Sequence, residues 1–383
     1  MSSKAFDFVV IGAGVFGAWT AHELLRDGHT VLLLDAYGPA HSRSSSGGES
    51  RIMRMGYGAD ELYSRMAMVS LQRWKDLQSR LSRQIFHPTG MLWLAGKDDA
   101  YTRQNQQVLE RLGVAHHRLE LRDIENQYPQ IGTDGIAWAL LEPDSGVLMA
   151  RQAVQALVAD AIAQGLEYRT VEIAPPQAKS KLDHLVTQDG ETINAGGFVF
   201  ACGPWLPKLF PDLLAPRIFP TRQEVFFFAP PAGDSAFASA VLPAWLDHAA
   251  LVYGIPDLEN RGFKISIDKH GPAFDPDNGE RLVGAESLAA VRDYIAARFP
   301  KLKNAVLTES RVCQYANTSN GDFIIDRHPE IENVTIVGGG SGHGFKHGPA
   351  VGDYARRLLT TQDLPEPRFA LAAKATMQAR SVY

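Results

Sequence analysis

The run Phe6-Asp7-Phe8-Val9-Val10-Ile11-Gly12-Ala13-Gly14-Val15-Phe16-Gly17 is the part of the chain from which the rest can be read. Phe6 to Ile11 is a short apolar run, the mark of a buried parallel strand. Gly12, Gly14 and Gly17 turn it into a helix, Ala18 to Arg26, which Asp27-Gly28 closes. Thr30 to Leu34 is the next strand, and Asp35 ends it. A strand, a glycine turn, a helix and an acid at the next strand end form a dinucleotide-binding βαβ unit. The glycines let the backbone and the helix N-terminus approach a pyrophosphate, and the acid accepts from ribose hydroxyls. The competing reading, in which the glycines only pack helix on strand and Asp35 only caps a turn, explains fewer of these features.

A second glycine loop lies far away, in Val334-Thr-Ile-Val-Gly-Gly-Gly-Ser-Gly-His-Gly-Phe-Lys-His-Gly348, before a helix-like segment from Val351 to Leu359. Such a loop brings main-chain N–H groups close to an anionic or electron-rich ligand. Both chain ends therefore contribute to one α/β unit. The middle reads differently. Thr89 to Ala95, Gln223 to Ala229, Ala250 to Tyr253 and Phe263 to Ile267 are strands, the last three of antiparallel type. Glu61 to Leu81 and Ala150 to Gln164 are helices. Ile193 to Phe200 is a strand ending in the turn Ala201-Cys-Gly-Pro-Trp205.

Composition narrows the function. The 383 residues suffice for two domains, and 45% hydrophobic with 21% charged content is that of a globular protein. A net charge of −5 with no basic cluster gives nucleic-acid binding little electrostatic support. No apolar run approaches the ~20 residues of a membrane span. No signal peptide is evident before the first strand. Two cysteines, Cys202 and Cys313, make no disulfide framework and fit a reducing compartment. A cytoplasmic location is expected.

Several residues invite chemistry. His41 to Ser50 is a polar loop, and Arg51 and Arg54 follow it, three apart and so on one face of a helical turn. Arginine grips a carboxylate with two prongs, and Lys346 could supply a second cation. On spacing alone Cys313 reads as a small buried hydrophobe, and Cys202 as structural. Lys264, in the alternating run Arg261 to Ile267, reads as a solvated strand residue; buried, its charge would need support or its pKa would fall. His343 and His347 have no partner set for a metal.

At this point the residues carry a resemblance. Val10-Ile-Gly-Ala-Gly, Pro39-Ala-His-Ser, Ser50-Arg-Ile-Met-Arg54, Tyr253-Gly-Ile-Pro256, Phe323-Ile-Ile-Asp-Arg-His-Pro329 and Ser341-Gly-His-Gly-Phe-Lys346 resemble the monomeric sarcosine oxidase family. That family also holds N-methyltryptophan, L-pipecolate and fructosyl amino acid oxidases, within the D-amino acid oxidase superfamily. The resemblance implies an α/β fold: a Rossmann-like FAD-binding domain of the glutathione-reductase type plus an α+β substrate domain with a large antiparallel sheet. The FAD domain would comprise 1–85, 145–215 and 320–383, and the substrate domain 86–144 and 216–319.

The resemblance also implies roles. Cys313 matches the cysteine bonded to the flavin 8α-methyl carbon, which replaces its bland reading. Arg54 and Lys346 match a clamp on the substrate carboxylate, and Arg51 an arginine close to the flavin ring. Lys264 matches the lysine that, through water, promotes reaction of reduced flavin with oxygen. Tyr253 matches an active-site tyrosine. The remaining flavin contacts would come from Gly12, Gly14, Val15, Phe16, Gly17 and Asp35; from Ser44, Ser45 and Ile52; from Val171, Ala201, Gly203 and Trp205; and from Gly339, Gly340, Gly342, His343, Gly344 and Phe345. Two positions depart from the pattern. Gly47 and Asp268 stand where the family often has histidine, with His270 two places after Asp268. An aspartate near the substrate nitrogen would favour a protonated amine, whereas a neutral amine donates hydride readily. Alternatively Asp268 meets a cationic or hydroxylated group of another substrate.

The expectation is therefore a monomeric FAD enzyme acting on the CH–NH group of a small secondary-amine amino acid. It would form an imine and pass electrons to O2, giving hydrogen peroxide. A dehydrogenase using another acceptor and an L-pipecolate, L-proline or fructosyl amino acid oxidase are the alternatives.

Overall fold

The computed structural model describes residues 6–361, 363 and 366–378. The opening βαβ unit forms as its sequence dictates. Strand Phe6–Ile11 runs into helix Val15–Arg26, and strand Val31–Asp35 pairs parallel to the first. Strand Phe6–Ile11 also pairs parallel with Thr192–Phe200, which pairs parallel with Val334–Gly338. The sheet order is Ile324–Arg327, Val334–Gly338, Thr192–Phe200, Phe6–Ile11, Val31–Asp35, Glu167–Thr170. Val9, Val10, Leu32, Leu33, Phe198, Val199 and Ile336 are fully buried, as strands covered on both faces require. Helix Val15–Arg26 lies against helix Gly348–Thr360. The contact is close: a Cβ on Gly352 would stand 2.7 Å from the Trp19 backbone.

The second, eight-stranded sheet is almost wholly antiparallel. Its order is Leu307–Thr318, Ile218–Phe228, Phe263–Ile267, Val252–Ile255, Ala244–Asp247, Met91–Ala95, Trp138–Glu142, His117–Glu120. Only Ala244–Asp247 and Met91–Ala95 pair parallel. The two longest strands, Ile218–Phe228 and Leu307–Thr318, pair along their whole length and connect the two cores. At one end Ile218 and Ala316 pack with Phe198 and Ile336 of the parallel sheet. At the other, Phe226 and Phe228 pack with Trp245 and Phe263. Cys313 lies between, opposite Gln223.

Two expectations are corrected. Arg51–Met53 is not a helical turn. It is a strand, pairing with Gly146–Leu148, which also takes Phe86–His87 into a three-stranded sheet. Arg54 lies just past the end of Arg51–Met53, and the two arginines have different partners: Ser45 and Cys313 for Arg51, Gly56 and the Tyr57 and Trp93 rings for Arg54. Lys264 is not solvated: it is 2% exposed, because both faces of its strand are covered. Helix Ala285–Arg298 escaped the sequence reading because it buries only Val291 and Ile295. Among the described residues no helix is long and apolar enough to cross a membrane.

Candidate active site

A cavity of about 330 Å³ lies between the two glycine turns. Gly12, Gly14, Val15, Phe16 and Asp35 line one stretch, and Gly339, Gly340, Gly342, Gly344 and Phe345 another. Ser44, Ser45 and Arg51 from the polar loop, Val171, and Ala201, Gly203 and Trp205 from the strand-end turn complete the predicted wall. Trp205 Nε1 donates to Asp277 at 2.6 Å, and Lys208 pairs with Asp275 at 2.6 Å, so a polar strap joins the two halves beside the cavity.

The first turn is built for a close ligand. Gly12 has φ +104°, and a Cβ there would stand 2.5 Å from the Ala201 carbonyl oxygen. Helix Val15–Arg26 has no side-chain cap at Gly14, although Ser46 Oγ accepts from Val15 N at 3.0 Å. Its positive N-terminal end thus faces the cavity without an acid of its own, as a pyrophosphate site requires. Asp35 does more than await a ribose. Its oxygens accept from Ala13, Tyr37 and Gly38 N–H groups, pinning the turn to the strand end. These features fit FAD: a glycine cradle and a helix N-terminus for phosphates, a carboxylate for ribose, and a second glycine loop for the ring. The loop of Gly342 leaves no room for a side chain, since its Cβ would meet the Tyr315 ring at 2.6 Å.

Other predicted contacts lie behind this wall. Gly17 packs on the turn itself, its Cβ position 1.8 Å from Gly12 O. Ile52 packs on the core of the parallel-sheet side. His343 turns its ring inward, Nε2 lying 2.9 Å from Gly321 O. Gly47 has no space for the histidine of the family pattern, because a Cβ would lie 2.0 Å from His41 O.

A cluster of ionisable side chains sits next to the cavity. Arg51 donates to Ser50 O and Ser45 O, each at 2.8 Å, and to Cys313 Sγ at 3.6 Å. Lys264 Nζ donates to Ser50 O at 2.7 Å and Ser50 Oγ at 3.2 Å. Burial, with Arg51 beside it, holds this lysine well below the usual ammonium range. The strand alternation puts Tyr315 on the same side as Cys313. Its hydroxyl donates to Asp268 Oδ1 at 2.8 Å. Burial pushes the Asp268 carboxyl up to about 6, against the pull of Tyr315, Arg54 and Lys346. Burial likewise pushes Tyr253 up to about 12, with Asp268 adding to it. His270 stands edge-on to the Tyr315 ring at 6.4 Å, its Nδ1 2.6 Å from Gln378 Nε2.

Arg54 is 3% exposed, donates to Gly56 O, and lies over the rings of Tyr57 (4.4 Å) and Trp93 (4.9 Å). The loop that carries it hangs on Glu142, a buried carboxylate accepting from Met55 N, Gly56 N, Trp93 Nε1 and Ser145 Oγ. Lys346 is 5% exposed, and burial with Arg54 nearby drives it well below the lysine range. Arg54, Lys346, Asp268 and Tyr315 thus meet beside the second glycine loop. This arrangement can hold a carboxylate and an amine of one small molecule.

Sequence reasoning missed Tyr315, Tyr57 and Glu142. Tyr315 was two strand positions from Cys313 and could have been found by alternation. Cys202, read as structural, lines the cavity and donates to Ile11 O at 3.4 Å. Glu142 left no local signal, because its donors lie far away in the chain.

Comparison with known proteins places this geometry. The chain matches the family described as FAD dependent oxidoreductase (DAO) over residues 7–358. It is similar to the monomeric sarcosine oxidase of Bacillus sp. (strain NS-129), 31% identical over 376 residues, 94% of each chain. It is also similar to the peroxisomal sarcosine oxidase of Homo sapiens, 32% identical over 376 residues, again 94% of each. Among solved structures, L-proline dehydrogenase from P. horikoshii shares the fold with a TM-score of 0.85 at 22% identity, covering 96% of this chain and 97% of that one.

Proposed function

The chain belongs to the FAD dependent oxidoreductase family, and from that premise we propose that it is an amine oxidase for a small secondary-amine amino acid. The substrate would be N-methylated, cyclic or N-substituted. The observation that carries this reading is the buried pair Arg54 and Lys346 beside Asp268, next to a cradle shaped for FAD. FAD, when bound, accepts a hydride from the carbon beside nitrogen and hands the electrons to O2.

The protein's own residues do the rest. Arg54 and Lys346 hold the carboxylate, which fixes the C–H bond and the nitrogen in one orientation. Orientation of this kind supplies much of a rate enhancement. Asp268, ionised above about pH 6, accepts from the substrate nitrogen. Tyr315 holds that carboxylate in place through its hydroxyl. Arg51 lies at the cavity wall, where its charge favours electron-rich states of a ring. Lys264, held between Ser50 and Arg51, promotes the reaction with oxygen. Cys313, beside Arg51, would hold the flavin covalently. The FAD domain would comprise 1–85, 145–215 and 320–383, and the protein would act as a cytoplasmic monomer.

The test is oxygen uptake with sarcosine, L-proline, L-pipecolate, N-methyltryptophan and fructosyl-glycine, each beside its methyl ester. Uptake with one free acid, one peroxide per amine, and loss of uptake with the ester are expected. Equal turnover of acid and ester would remove the carboxylate clamp from the account.

A further inference from the structure

Tyr57 lies three residues past Arg54, and the chemistry above makes no use of it. Its hydroxyl lies 2.7 Å from Lys346 Nζ, 2.7 Å from His347 Nε2 and 3.3 Å from His343 Nδ1. Tyr57 is 3% exposed, His343 5% and His347 0%. Such a network must assign each proton, because an unpaired polar group is costly in a dry interior.

The Gly321 carbonyl sets the direction. A carbonyl only accepts, so His343 Nε2, 2.9 Å away, carries the proton. His343 Nδ1 is then an acceptor and takes the single proton of Tyr57. The phenol oxygen is left as an acceptor, and Lys346 Nζ donates to it. His347 is held neutral by burial, with Lys346, His343 and Arg54 adding to that. Its Nδ1 has no partner among the described residues. A bare lone pair is cheaper to bury than a bare N–H, so its proton sits on Nε2 and also points at the phenol oxygen. The hydrogen bonds thus run from Lys346 through Tyr57 and His343 to the Gly321 carbonyl.

We propose that Tyr57 and His343 are positioning residues that keep Lys346 a cation for the substrate carboxylate. The inference rests on the carboxylate reading of Lys346 above. Each donor in the chain polarises the next, so the phenol oxygen is a better acceptor than a lone tyrosine. The support is needed. Arg54 repels the ammonium, Asp268 and Glu142 attract it, and burial outweighs them all. The His343 carbonyl accepts a second Lys346 proton at 3.0 Å. Behind Tyr57 stands Tyr63, stacked at 5.2 Å, whose hydroxyl donates to Asp322. Asp322 shares Arg368 with Asp60, and Lys374 lies within electrostatic reach of Asp322, so two acids face two bases on that side.

The experiment measures binding of acetate, a carboxylate with nothing to oxidise, to the holoenzyme by flavin absorbance between about pH 7.5 and pH 10, above the Asp268 titration. Binding should weaken as pH rises through the Lys346 titration, and K346M should abolish that limb. In Y57F, which removes only the hydroxyl, the limb should move down by about one pH unit. H343L should move it the same way. H343Q, whose amide can accept from Tyr57 and donate to Gly321, should restore it. Flavin content and melting midpoint separate a shifted limb from lost structure, and Y57F carries the test if H343L does not fold. A limb that stays in place in Y57F overturns the proposal and leaves the carboxylate reading intact. Parent-like acetate binding by K346M overturns both.

Discussion

Asp268 is a buried acid of the site, 7% exposed, and its burial makes a signed prediction. Its folded pKa, about 6, is raised above the ordinary 3.8, so the folded state binds the proton more tightly than the unfolded chain. That contribution to stability is present at low pH and is lost as pH rises from about 4 through about 6. Above pH 6 the buried charge costs about 3 kcal/mol by linkage. Asp268→Asn keeps an acceptor for Tyr315 and removes the charge. It should stabilise the protein by up to about 3 kcal/mol at pH 8 and by about half as much at pH 5, while lowering turnover. Denaturant midpoints at both pH values check this; equal effects at both would show that the charge is not the cause. The carboxylate clamp makes a second prediction. Arg54→Gln should lower kcat/KM about 100-fold, the scale of a lost charge-assisted contact. Lys264→Met should leave anaerobic flavin reduction near normal and slow reoxidation by oxygen about 100-fold. Unchanged reoxidation would free Lys264 from that role.

At the scale of elements, the paired strands Ile218–Phe228 and Leu307–Thr318 matter most. They belong to the antiparallel sheet yet reach into the core of the parallel one, and they carry Cys313 and Tyr315 to the junction. The βαβ unit was legible because its signals are local: an apolar run, spaced glycines, an acid at the strand end. Helix Ala285–Arg298 was not, since a mostly exposed helix leaves little apolar periodicity. The Arg51–Arg54 stretch was misread for a related reason. Its strand character comes from pairing with Gly146–Leu148, almost a hundred residues away, which no local window contains. Burial of Lys264 was hidden likewise, because the strands and loop that cover it are distant in sequence. The Lys346–Tyr57–His343 connection joins segments far apart, and only the fold brings them together. The turn at Gly12 gives a prediction at this scale. Gly12→Ala combines φ +104° with a 2.5 Å approach to Ala201 O. It should abolish flavin retention, read as the absorbance of the purified protein. Full flavin content would mean that the turn relaxes without cost.

For the whole molecule, the two sheets make a frame whose cavity, where FAD would lie, sits between glycine turns from opposite ends of the chain. A ligand that binds only the folded state stabilises it by mass action, about 2.7 kcal/mol at a hundredfold excess over Kd. A flavin bonded through Cys313 cannot dissociate, so the melting midpoint of the parent should not depend on added FAD. In Cys313→Ala the midpoint should rise with added FAD, and acid precipitation should release the flavin that the parent retains. Flavin released by acid from the parent itself would show that the bond does not form.

The central claim is that the site oxidises a small secondary amine and returns the electrons to oxygen. The most direct measurement mixes the holoenzyme anaerobically with sarcosine, L-proline or L-pipecolate, follows the flavin absorbance, and then admits air. The account predicts rapid bleaching by one of them, followed by fast recovery of colour with one equivalent of peroxide. No bleaching by any secondary-amine amino acid, or bleaching without recovery in air, would contradict it.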